Sequence, residues 1–87
     1  MATITNKREI NSYNVKQCWD WLDKNAKVMP ELNEHLTSLQ LTDIANVHLK
    51  YKITHEEFMA ASVDAGYSPK RIPETVDLWY LNIEIKA

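Results

Sequence analysis

Apolar residues recur at helical spacing along most of this chain and alternate strictly in two short stretches. The best-punctuated unit runs over residues 53–72. Thr54 followed three residues later by Glu57 forms a capping box, in which each side chain satisfies a backbone N–H of the other. Ile53 and Phe58 fall at the two positions of a hydrophobic staple. The helix they start runs through Met59, Ala60, Ala61, Ser62, Val63 and Ala65. It should stop at Gly66, the single glycine, which can turn left-handed at no steric cost. Ser68 and Pro69 then suit the N-cap and first position of a further helical turn, and Pro73 interrupts that turn.

The remaining pattern predicts helices with three anomalies. Residues 14–25 read as a helix capped by Asn14 and Gln17, with Val15, Cys18, Trp19, Leu22 and Ala26 in one stripe. Trp21 lies about 200° round that helix from Trp19. It is therefore either covered by a second element or the N-terminal arm, or left as a partly exposed anchor. Pro30 can open a second helix, with Leu32, Leu36 and Leu39 buried. A third can be capped by Thr42 or Asp43, with Ile44, Val47 and Tyr51 as its stripe. However, Val47, Leu49, Tyr51 and Ile53 also alternate as in a strand. The last helix should run from Pro73 to about Asn82. It is apolar on two nearly opposite faces, one carrying Val76, Trp79, Tyr80 and Ile83, the other Leu78, Leu81 and Ile85. That segment too can be read as a strand, with Trp79, Leu81, Ile83 and Ile85 alternating, free to pair with the β-prone Ala2, Thr3, Ile4 and Thr5.

These elements predict a single domain over residues 1–87. It is mainly α, a compact bundle of four to five short helices, with short terminal β-strands as the option left open. Residues 1–13 are polar and read as a weakly ordered arm.

Composition narrows the function classes. Ten basic and twelve acidic residues leave a net charge of −2, too even for broad nucleic-acid or membrane attraction. The one cysteine, Cys18, permits no internal disulfide and suits a reducing, cytoplasmic setting. No apolar run is long enough to span a membrane. The three histidines, His35, His48 and His55, have no metal-ligand spacing with each other or with Cys18. One glycine rules out a glycine-rich phosphate loop. Glu56 and Glu57 are explained by helix capping. No metal, cofactor or catalytic residue is therefore assigned, and the chain reads as non-enzymatic.

Ser62, Gly66, Tyr67, Ser68 and Ile72 stand at the positions of a helix-turn-helix unit. The wording of residues 65–70, Ala-Gly-Tyr-Ser-Pro-Lys, is similar to that of phage small terminase subunits. The resemblance covers about a fifth of the chain. It implies a phage or mobile-element source and would place Ser68, Lys70, Arg71 and Thr75 against DNA, as the start of a recognition helix does.

The leading expectation is an inhibitor or regulator that works by protein–protein interaction, with Trp21, Trp79, Leu78 and Leu81 as its contact residues. Aromatic surface beyond the needs of one small core is what interfaces use. The alternative is a helix-turn-helix DNA-binding regulator. Either could pair with a second copy through residues 76–85, the segment apolar on both faces.

Overall fold

The computed structural model describes residues 10–49 and 52–86. It is not a helical bundle but an α+β fold. Three helices, α1 (Ser12–Asn25), α2 (Ser38–Leu49) and α3 (His55–Asp64), accompany three strands, β1 (Ala26–Asn33), β2 (Lys70–Arg71) and β3 (Trp79–Ile85). The strands form one antiparallel sheet in the order β1-β3-β2. The last strand in sequence is therefore the central one.

Two predicted helices are strands. Residues 30–39 hold no helix until Ser38, because β1 runs straight on from α1 and pairs with β3, Ala26 opposite Ile85 and Val28 opposite Ile83. Pro30 is tolerated because β1 is an edge strand, and the register breaks between Val28 and Asn33, where it falls. Two side-chain amides bridge that break. Asn82 donates to the Met29 carbonyl at 3.0 Å and Asn33 to the Ile83 carbonyl at 3.1 Å. Residues 79–85 follow the strand reading. Leu81 and Ile83 turn into the core, while Glu84 stays outside beside Lys27, 3.5 Å away. The two apolar faces of the supposed terminal helix are thus an artefact of wrapping a strand around a helical wheel. The proposed pairing with residues 2–5 lies outside the described residues.

The helices that do form differ from expectation in their starts and in their buried faces. α1 is capped by Asn11, not Asn14. Asn11 Oδ1 accepts from the N–H groups of Tyr13 and Asn14. Its buried face is Cys18, Trp21 and Leu22, with Val15 and Trp19 half-buried. α2 starts at Ser38, at least five residues earlier than a Thr42 or Asp43 cap implies, at a second capping box in which Thr37 and Gln40 exchange backbone-to-side-chain bonds of 2.9 and 3.2 Å. Its buried face is small and partly polar (Ser38, Leu41, Thr42, Ala45), and Val47, placed in its stripe, is 73% exposed. Tyr51 lies outside the described residues.

α3 forms as its punctuation predicts. The Thr54–Glu57 box is complete, and Ile53 and Phe58 both enter the core. At its end Tyr67 N–H bonds the Ser62 carbonyl and Gly66 N–H the Val63 carbonyl, with Gly66 at φ 101°. That pair of bonds is a Schellman cap. The one hydrophobic core gathers side chains from all three helices, Ile53, Tyr67, and the inward face of β3.

Candidate functional site

The expected site residues divide sharply. Trp21 is 5% exposed. Its indole N–H donates to His48 Nδ1 at 3.1 Å, and the two rings meet edge-on. α2 supplies the cover that α1 alone lacks, so Trp21 is core and not a surface anchor. Leu81 is wholly buried under the helices and Leu78 is half-buried. Of the expected contact set, Trp79 alone reaches a surface groove.

The nucleic-acid set is not on a helix. After the Gly66 turn the chain runs extended into the two-residue strand β2, which pairs Lys70 with Tyr80 and Arg71 with Trp79. Ser68 gives its N–H to Asn82 Oδ1 at 2.7 Å. Arg71 spends its guanidinium on its own backbone, with Nη2 donating to the carbonyls of Thr75 and Val76, each at 2.8 Å. Thr75 Oγ1 donates to the Ile72 carbonyl at 2.7 Å. Lys70 and Arg71 thus lie on the outer neighbour of β3 and not at the start of a helix. Within residues 76–85, β3 pairs with β1 along most of its length and with β2 at Trp79 and Tyr80.

Those bonds make residues 72–78 a held loop. Ile72 N–H bonds the Leu78 carbonyl across its base, and Pro73 and Glu74 form the corner of a tight turn closed by Thr75 N–H on the Ile72 carbonyl. Glu74 sits at φ 67°, the left-handed conformation that a non-glycine residue adopts at a cost of about 1 kcal/mol or more. Beyond the turn, Val76 is 90% exposed. Next to the end of the loop stands Asp77, both of whose carboxylate oxygens have partners. Trp79 Nε1 donates to Oδ1 at 3.0 Å, and His55 Nδ1 lies 3.6 Å from Oδ2.

His55 continues inward. Its Nε2 is 2.7 Å from Ser38 Oγ, which also accepts the Trp79 backbone N–H at 3.1 Å. Serine, histidine and aspartate in this order are the layout of an activated nucleophile. The accessibility is wrong for it. Ser38 is 0% exposed, and the groove that His55 and Asp77 line does not include it. The chain of contacts instead ties the start of α2 to the start of α3 and to the loop before β3. Residue spacing gave no signal for it, because the three side chains come from elements 17 and 22 residues apart.

A groove runs beside this network. His55, Glu56, Met59, Val63, Asp77 and Trp79 line one half. Val15, Lys16 and Trp19 of α1 line the other, and Ile10, Ala60 and Asp64 belong to both. Its walls are held by Glu57, a carboxylate 3% exposed that joins the beginnings of two helices. Glu57 Oε1 accepts from Thr54 N–H and Asn14 Nδ2, and Oε2 from Asn11 N–H. Burial works to raise its pKa, but these bonds outweigh it and hold the group below the usual carboxylate range.

Among the described residues no cluster of three metal-ligating side chains occurs, and no helix is long and apolar enough to cross a membrane. No protein-family model matches the chain, and no curated protein or solved structure matches it either.

Proposed function

We propose that this protein acts by binding another protein, with the loop of residues 72–78 as the presented element. The observation that carries the reading is Val76, 90% exposed at the tip of a loop held by its own hydrogen bonds. Arg71, Thr75 and the strained turn at Glu74 fix the loop before any partner arrives. A loop already ordered loses little entropy on docking, so its contacts translate more fully into affinity. The backbone strain at Glu74 supports the same reading, since such strain gathers at functional loops. Trp79 and the groove lie at the base of this loop and extend the face. A non-enzymatic inhibitor or regulator in a reducing, cytoplasmic setting remains the best description, with the loop replacing Trp21 and Leu81 as the contact element.

The test is affinity capture from a bacterial lysate treated with nuclease and washed at high salt, using the wild type, Val76→Glu and Lys70→Glu. A single protein retained by the wild type and by Lys70→Glu, and lost with Val76→Glu, is the expected result. Circular dichroism of Val76→Glu should be unchanged, because the side chain touches solvent on nearly all sides. Retention of nucleic acid without nuclease, lost with salt and with Lys70→Glu, would refute the proposal.

A further inference from the structure

We infer that the groove between α1, α3 and the loop takes a basic segment of the partner protein, one that sets apolar side chains between lysines or arginines. The inference rests on the protein-binding reading and gives the partner its chemistry. The floor is apolar and aromatic, with Ile10, Trp19, Met59, Val63 and Trp79. The charges around it are mostly of one sign. Glu56, Asp64 and Asp77 line the groove; among the described residues Lys16 is the one lysine or arginine lining it, and His55 stands beside Asp77. Lys16 is already paired with Asp20, 3.3 Å away on the next turn of α1. Among the described residues neither Glu56 nor Asp64 has an ion-pair partner. An acidic segment entering here would meet uncompensated like charge, and a neutral one would leave Glu56 and Asp64 without partners. A segment with apolar side chains flanked by cations satisfies both the floor and the rim.

Three tryptophans make the site readable. Trp19 and Trp79 line the groove, whereas the Trp21 indole is buried against His48 on the far flank of α1. The probes are three twelve-residue peptides that share leucine and tryptophan positions and carry arginine, glutamine or glutamate at the others. Each is titrated into the full chain labelled with nitrogen-15. The arginine peptide should move the indole N–H signals of Trp19 and Trp79 and leave that of Trp21 in place. It should bind at least about tenfold more tightly than the glutamate peptide. The double variant Glu56→Gln, Asp64→Asn should bring it to the level of the glutamine peptide.

Equal binding of the three peptides, no loss in the double variant, or movement of the Trp21 signal instead would overturn the inference. So would a tenfold gain in arginine-peptide affinity on Lys7→Glu with Arg8→Glu, which would make the chain's own basic residues the occupant. If every peptide fails while Val76→Glu still abolishes capture, the basic-segment assignment falls and the protein-binding reading stands.

Discussion

Replacing Glu57 with alanine should destabilise this protein more than any other change to an acidic side chain. The carboxylate accepts from Asn11 N–H at 2.9 Å, Thr54 N–H at 3.0 Å and Asn14 Nδ2 at 3.1 Å. A hydrogen bond to a charged group contributes about 1.5–3 kcal/mol. Three such bonds do not add in full, because Asn11 is exposed and water can reach its freed N–H. The loss of the capping box is worth about 1 kcal/mol, and the loss of the tie between α1 and α3 adds about as much again or twice that. Glu57→Ala should therefore cost about 2–3 kcal/mol. A chain of this length has a total of about 4–13 kcal/mol.

The pH dependence follows from the direction of the Glu57 shift. Its folded-state pKa lies below the unfolded value of about 4.3. The contribution of the ionised group is thus fully present above that value and is lost as pH falls through the folded-state pKa. Urea unfolding of the wild type, Glu57→Ala and Glu57→Gln, followed by circular dichroism from about pH 7 to about pH 3, measures it. The gap between wild type and Glu57→Ala should be widest at neutral pH and narrow in acid. Glu57→Gln, with one acceptor oxygen and no charge, should fall between them with little pH dependence. A neutral-pH gap under about 1 kcal/mol, or a gap unchanged in acid, would refute the assignment of Glu57 as the joint between α1 and α3.

Three further outcomes are expected. Trp21→Ala should cost about 3–5 kcal/mol in urea unfolding, and Trp21→Phe less, because it keeps most of the packing and loses the bond to His48; a Trp21→Ala protein of wild-type stability would show that Trp21 is not core. Gly66→Ala should cost about 1–2 kcal/mol through backbone strain alone, since φ is 101° and a Cβ there meets nothing within 4 Å, and Gly66→Asn should cost less. Burial, with the Glu57 carboxylate adding to it, pushes the Cys18 thiol up to about 12; iodoacetamide at about pH 8 should then modify the folded chain at least about 100-fold more slowly than the urea-unfolded chain, and equal rates would place Cys18 at the surface.

What local chemistry could specify, the chain states openly. The α3 unit depends on bonds that span no more than five residues: the Thr54–Glu57 box, and the Gly66 turn with its two carbonyl bonds. Each competes only with water and needs no distant partner, so residue order was enough to find it. The start of α2 carries the same local mark, because Thr37 and Gln40 form a second box of the same kind.

The sheet is different. Residues 30–39 and 73–82 have helical spacing and good helix openers, Pro30 and Pro73, yet β1 and β3 are strands because they satisfy one another's backbone groups across about 50 to 60 residues of chain. Nothing local marks that pairing, and strand preference is decided by neighbours more than by the residue itself. The candidate site followed the sheet. Once β3 took the centre, Leu81 was buried, β2 displaced the supposed recognition helix, and the connection between them became the loop that presents Val76. Trp21 shows the same dependence in one side chain. Its angle on α1 was legible from spacing, but whether that angle meant core or surface was decided by α2, which brings His48 to its indole.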